Sequence, residues 1–329
     1  MNEVLYPLKF NPILKDKVWG GQKLEKLFNK KSGQLPNIGE SWEISGFNEE
    51  ISIVSNGFLS GNSLEELVEI YMGDLVGDLV FEKFGNEFPL LIKLIEAQDD
   101  LSIQVHPNDE VANERHNSYG KTEMWYVIQA DEGAELISGF RKDTDRSEYI
   151  AALDSGKIKD LLNVVKVREG DLFYIPAGRV HAIGSGILLA EIQQTSDITY
   201  RIYDWDRPGS DGKFRELHTD LAIDVIDFKA TESCKTVYKK DKNQTINLVD
   251  CPYFKTNILE FNQLIEKDYI LIDSFVIYIC ITGQFDIKYN QDKLETVHAG
   301  ETVLIPSVLK SLILIPEIDT KILEIYIPE

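Results

Sequence analysis

The chain has 329 residues and a mass of 37.5 kDa, enough for about two domains. Hydrophobic residues at 43% and charged residues at 27% are a globular balance, and a net charge of −21 excludes general affinity for nucleic-acid phosphates or anionic membrane surfaces. A small phosphorylated ligand stays open, because a local basic pocket can sit in an acidic protein. The three cysteines, Cys234, Cys251 and Cys280, are far apart and form no C-x-x-C pair, so neither a disulfide framework nor a cysteine zinc knot is expected. The first residues lack the basic start and apolar stretch of a signal peptide. Apolar runs such as Phe275–Ile281 fall far short of the ~20 residues of a spanning helix. A soluble cytoplasmic protein is expected.

In chain order, the first clear element is a helix from about Ser63 to Leu79. Ser63 and Glu66 make a capping box, and Leu64, Leu67, Val68, Tyr71 and Leu75 fall on one face. In Leu101–Asp109, Ser102, Gln104 and His106 alternate onto one face of a strand, while Ile103 and Val105 point the other way. A polar face aimed into a core is costly unless something satisfies it, and a metal would do so. After Gly120, Lys121, Glu123 and Trp125 share one face and Met124 and Tyr126 the other. A helical stretch at Ser147–Leu162 is interrupted at Gly156. Gly170 to His181 then spells G-x5-P-x-G-x2-H, a turn, a strand and a tight turn that present His181 toward an interior. This pattern resembles the second motif of cupin barrels, in which that histidine binds metal. Glu191 to Arg207 is dense in polar and aromatic side chains, and an edge strand is one reading of it. Leu221, Ala222, Val225 and Ile226 give a third helical repeat after Thr219. The lysine-rich stretch Lys235–Lys242 is the best domain boundary. Everything after about Thr231 is strand-like, at Phe275–Thr282, Thr302–Ile305 and Ile322–Ile327.

Two histidines and one carboxylate, His106, His181 and Glu123, suit catalytic zinc with one position left to water or substrate. The same trio suits non-haem iron, so ligand type alone does not choose. An internal repeat bears on the fold. Gly170-Asp171 to Ile175-Pro176 matches Gly300-Glu301 to Ile305-Pro306 at an offset of 130, and Tyr126-Val127-Ile128 resembles Tyr278-Ile279-Cys280 at an offset of 152. Two related β-barrels are expected. At these offsets His181 corresponds to Ser311 and Glu123 to Phe275, so the second barrel lacks the metal ligands.

At these residues the sequence resembles the type I mannose-6-phosphate isomerases, particularly their short bacterial form. The resemblance rests on Trp19-Gly20-Gly21, Ile38-Gly39-Glu40-Ser41-Trp42-Glu43, Phe88-Pro89-Leu90-Leu91-Ile92-Lys93, Gln104-Val105-His106-Pro107-Asn108-Asp109, Lys121-Thr122-Glu123-Met124-Trp125, Pro176-Ala177-Gly178-Arg179-Val180-His181-Ala182 and Ser196-Asp197-Ile198-Thr199-Tyr200-Arg201. It weakens after about residue 230. It implies a mainly β fold of two cupin-like barrels (jelly rolls), with a few helices in or beside the first. The division is 1–232, metal-binding and catalytic, and 233–329, without ligands. It implies one Zn2+ per chain at Gln104, His106, Glu123 and His181, Arg201 as the catalytic arginine, and Lys93, Ser102, Lys121, Glu191 and Asp197 around a small phosphorylated sugar. The activity implied is interconversion of mannose 6-phosphate and fructose 6-phosphate through an enediol(ate), with Glu191, Asp197 and Lys121 as candidate bases. A non-catalytic sugar-binding bicupin and an iron-dependent oxygenase are the alternatives. Gln104 in place of a histidine counts against the latter.

Overall fold

The computed structural model describes residues 5–31, 33, 35–209, 212–230 and 233–328. It is mainly β, with several antiparallel sheets and few helices, in keeping with a cupin-like fold. The expected boundary falls beside residues 231–232, which lie outside the described residues.

A six-stranded sheet runs in the order Leu172–Ile175, Glu123–Ala130, Ile187–Gln194, Leu90–Ala97, Ile38–Ile44, Ile13–Gly21. A five-stranded sheet runs Leu162–Lys166, Glu135–Phe140, His181–Ile183, Ile103–Val105, Tyr200–Tyr203. Trp19, Ile95, Trp125, Val127 and Phe173 of the first share one core with Leu136 and Ile183 of the second, so the two sheets face each other. The far face of the five-stranded sheet, Ile103, Val105, Ala182, Tyr200 and Ile202, packs with Tyr149, Ile158, Ala222 and Ile226 from helical segments. Each buried Leu, Ile or Val contributes roughly 1.5–3 kcal/mol.

Apart from the two-stranded hairpin Gly46–Phe47 and Glu50–Ile51, the remaining strands form a six-stranded sheet that includes Lys255–Phe261, Val276–Thr282, Thr302–Ile305 and Thr320–Tyr326, and a four-stranded one that includes Ile265–Asp268, Gln284–Tyr289 and Ser311–Pro316. The short N-terminal strand Leu8–Lys9 joins the former, with Leu8 opposite Leu304. The largest core is continuous between the halves. Ile92, Leu94, Met124, Tyr126 and Ile192, on the outer face of the first six-stranded sheet, lie in one cluster with Ile277, Tyr278 and Leu323, and the rings of Phe88 and Phe275 are 4.6 Å apart. Among the described residues no helix is long and apolar enough to cross a membrane.

The helices are shorter than the periodicity predicts. The first spans Leu64–Val76 with its capping box intact, kinked where Met72 takes φ 47°, and a separate helix, Asp78–Phe84, follows. Ser147–Leu162 divides into the helix Arg146–Asp154, a left-handed Gly156 (φ 69°) and the 3-10 turn Ile158–Leu161. The third is only Thr219–Ala222. Two others, Lys23–Phe28 and Asp109–His116, are capped too briefly, or too poor in apolar residues, to show a stripe.

The ladders correct one alignment. Leu172, Phe173 and Ile175 face Tyr126, Trp125 and Glu123, while Thr302, Val303 and Ile305 face Ile279, Tyr278 and Val276. With 172 matched to 302, Tyr126 corresponds to Ile279 and Glu123 to Val276, one residue beyond the expected Phe275. A one-residue slip moves every side chain to the other face. The absence of a ligand at this position stands, but the residue in its place is Val276. Carried across the sheets, Glu191 opposite Trp125 and Lys93 corresponds to Glu324 opposite Tyr278 and Asn257, and His181 opposite Gln104 corresponds to Ser311 opposite Asp268.

Candidate metal centre and catalytic pocket

His106, one residue past the strand Ile103–Val105, meets Glu123 and His181, each the first residue of its strand, with one ligand atom of each within 4.8 Å of the others. His181 follows the Pro176–Gly178 turn, where Gly178 takes φ 87° and an added Cβ would come within 2.9 Å of the Val225 carbonyl. His106 Nε2 lies 3.6 Å from one carboxylate oxygen of Glu123 and His181 Nε2 lies 3.4 Å from the other.

The partners of the far ring nitrogens orient these groups. His106 Nδ1 donates to the Ile198 carbonyl and His181 Nδ1 to the Arg179 carbonyl, both at 2.8 Å. Each ring thereby turns a bare Nε2 toward the centre, the arrangement that fixes tautomer and direction in metal-binding histidines. Burial, with help from Lys121, holds His106 well below its ordinary pKa, and burial brings His181 down to about 3. Burial and then Glu191 push the Glu123 carboxyl well above the usual range. His106 Nε2 and both Glu123 oxygens are buried without a hydrogen-bond partner among the described residues. Neutral imidazoles around a starved carboxyl are costly unless a cation sits among them. The donor set fits a divalent ion.

Gln104 sits at the register position between the two halves of the site. It is opposite His181 on one side and Arg201 on the other, so all three side chains leave the same face. Its Nε2 is 3.3 Å from His181 Nε2. Two strand spacings place Arg201 about 10 Å from His181. Ser102 is buried, its hydroxyl 3.5 Å from Gln104 Oε1. Lys121 is buried with Nζ 4.0 Å from Asp197 Oδ1, and Asp197 is half exposed. Arg201 Nη1 donates to the Glu216 carbonyl at 2.8 Å, and its buried Nε finds no partner among the described residues.

Lys93 and Glu191 form a buried ion pair at 3.1 Å, and Glu191 also accepts the Trp125 indole N–H at 2.9 Å. Among the residues that the sequence singled out, these contacts link Gln104 with His181 and Ser102, Lys121 with Asp197 and Lys93 with Glu191, whereas Arg201 is related to them only by its register with Gln104. Both oxygens of Glu191 are engaged, whereas those of Asp197 reach solvent.

Sequence reasoning gave no role to Glu40 and Trp42. Lys93 Nζ lies 5.2 Å from the Trp42 ring centroid, and Trp42 Nε1 donates to Glu40 at 2.7 Å. Burial would raise the Glu40 carboxyl, but Lys93, Lys17 and that indole outweigh it and bring it down to about 2. The sequence signal was the alternation of 40 and 42 onto one face, and the ladder, in which Trp42 is paired with Lys93, shows that Lys93 leaves the same face.

The sequence matches the family described as phosphomannose isomerase type I, catalytic domain, over residues 7–136. It is 42% identical over 251 residues to mannose-6-phosphate isomerase ManA of Bacillus subtilis (strain 168), covering 75% of this chain and 77% of that one. It is 35% identical over 312 residues to mannose-6-phosphate isomerase of Streptococcus mutans serotype c (strain ATCC 700610 / UA159), covering 93% and 94%. The fold is similar to the crystal structure of the mannose 6-phosphate isomerase from Bacillus subtilis, with a TM-score of 0.88 and 31% identity over 98% of this chain and 99% of that one.

Proposed function

The chain belongs to the type I mannose-6-phosphate isomerase family, and from that premise we propose that it interconverts mannose 6-phosphate and fructose 6-phosphate at the His106–Glu123–His181 centre. The observation that carries this reading is the convergence of Glu123, from one of two facing sheets, with His106 and His181 at the other, where Gln104 and Arg201 leave the same face as His181. The division proposed is a catalytic cupin-like barrel over 1–232 and a ligand-free one over 233–329, and the parallel registers of the two halves support it.

The ion proposed is one Zn2+ per chain, held by His106, Glu123 and His181 with Gln104 beside them. When bound, it would supply a fixed positive charge to polarise sugar oxygens without redox chemistry. The protein's own groups do the rest. Moving a proton between C1 and C2 places negative charge on oxygen. Arg201 remains a cation throughout and, with Nη1 held by the Glu216 carbonyl, has an Nε without a partner among the described residues to offer to that charge. The base must reach the sugar carbon. Glu191 is committed to Lys93 and Trp125, which leaves Lys121 and Asp197, 4.0 Å apart at the edge of the site, as the groups placed to take and return the proton. Lys93 and Ser102, both buried beside the centre, are the groups proposed to orient substrate hydroxyls.

Arg201→Ala should keep metal and fold and lower kcat by about 10²–10³, the usual cost of losing one charge-stabilising donor. Assay of fructose 6-phosphate formation, with and without a chelator and beside elemental analysis, tests this. Near-normal turnover in the variant removes the role of Arg201, and stoichiometric iron with oxygen uptake removes the isomerase reading of the centre.

A further inference from the structure

Tyr200–Tyr203, the strand that carries Arg201, is the edge of its sheet, and edge strands leave one row of backbone groups to be satisfied by something else. A strap formed by residues 215–218 does this. His218 N–H donates to the Arg201 carbonyl at 2.7 Å, and the Arg201 N–H donates back to His218 Nδ1 at 3.2 Å. One residue thus meets both backbone groups of Arg201, with an imidazole nitrogen in place of the carbonyl of a neighbouring strand. Three residues along the strand and three back along the strap, Arg215 Nε donates to Asp204 at 2.6 Å. The strap therefore lies antiparallel to the strand, closed by the Pro208–Phe214 bridge and the Gly209 N–H to Lys213 carbonyl bond at 2.7 Å. Between these ends the Glu216 carbonyl receives Arg201 Nη1. The carbonyl of His218 accepts the amides of Leu221 and Ala222, which ties the strap to the short helix Thr219–Ala222, whose Ala222 is buried.

We propose that His218 is a positioning residue for Arg201: by accepting the Arg201 amide at Nδ1 and donating its own amide to the Arg201 carbonyl, it sets the backbone from which the guanidinium reaches the substrate. The proposal rests on the reading that Arg201 stabilises developing charge. It requires the neutral His218 ring to carry its proton on Nε2, since Nδ1 acts as acceptor. The ligand set of the metal is untouched by it. A guanidinium released from this frame loses the Glu216 carbonyl as well, and misplacement of a charged group by about an ångström costs up to about 10²-fold in turnover.

The test is a double-mutant cycle on the metal-loaded full chain. His218→Ala should lower kcat by about 10- to 100-fold while bound metal and thermal midpoint stay near those of the parent. His218→Asn, whose Oδ1 can accept the same amide, should recover most of the loss. His218→Ala added to Arg201→Ala should cost little more than Arg201→Ala alone, because both remove one unit. Hydrogen exchange supplies a readout independent of turnover: the Arg201 amide should lose protection in His218→Ala and keep it in His218→Asn. Parental kcat in His218→Ala, additive losses in the double variant, or an Arg201 amide equally protected in all variants overturns the proposal. An inactive His218→Ala paired with an active Arg201→Ala would instead discard the role of Arg201. The exchange result then decides whether the clamp exists.

Discussion

The two halves of the molecule answer the same problem in opposite ways. Both bury a glutamate at one register position, Glu191 in the first and Glu324 in the second. Glu324 is saturated by its own surroundings: Lys267 pairs with it, Tyr269 donates to it at 2.8 Å and Asn257 at 3.0 Å, while Tyr269 also bonds Tyr278. Burial and Glu324 hold both phenols well above their ordinary range, so they remain donors. In the first half the corresponding glutamate is also satisfied, but nearby His106 Nε2 and both Glu123 oxygens have no hydrogen-bond partner among the described residues. A buried polar cluster that completes itself needs no guest, and one that stays incomplete selects for one. The difference between the halves is therefore one of polar satisfaction within one strand plan.

The sharpest way to break this comparison is to exchange matched positions. His181→Ala should abolish bound metal and lower turnover by roughly 10³-fold or more, since several kcal/mol of charge stabilisation leave with the ion and each 1.4 kcal/mol is tenfold. Ser311→Ala, its counterpart, should change neither quantity. Elemental analysis and the isomerase assay on both variants check this, and metal loss in Ser311→Ala would end the idea that the second half is a self-sufficient core.

Next in size are the two lysines. Lys93→Met strands Glu191 with a single indole donor and should destabilise the protein by about 3–5 kcal/mol, the cost of breaking a buried pair. Lys267→Met leaves Glu324 with two donors and should cost only about 1–3 kcal/mol. Urea unfolding at neutral pH measures both, and equal losses would show that the two networks are not differently satisfied.

The smallest effect is a pH dependence confined to the first half. Glu40 is depressed from 4.5 to about 2 in the folded chain. A depressed carboxyl contributes stability that is complete above its unfolded pKa and is lost as pH falls through the folded one. Its share, about 3 kcal/mol as an upper bound, should disappear between about pH 4.5 and pH 2. Unfolding midpoints across this window should fall more steeply in the parent than in Glu40→Gln. Parallel curves would remove Glu40 from the acid response.

How much of this was legible beforehand follows from what each signal encodes. His181 and Glu123 were readable because fixed gaps around glycine and proline determine turn geometry, and alternation then gives the face. Their grouping with His106 came from donor types and strand faces, and the resemblance then supplied Gln104 as the fourth ligand, since spacing says nothing about which strands pair. The repeat was found, but its strand alignment slipped by one: Tyr-Val-Ile and Tyr-Ile-Cys match as strings, and a run buried on both faces carries no alternation to pin the register. The helix Asp109–His116 escaped because its only buried residue is Ala112. The strap was invisible for another reason. On the Arg201 side both bonds use backbone groups, which every residue has, and a lone His218 seventeen residues on carries no spacing signal that its ring would meet that amide.

The pairing of Leu8 with Leu304 has a consequence for synthesis on the ribosome. Translation at about 5–20 residues per second means that the opening strand emerges and then waits roughly 15–60 s before its partner exists. Through that interval the second half's sheet lacks its border and the leading segment trails as an open tether. The sheets of the first half can settle early, but this pairing is deferred until residue 304 has been made.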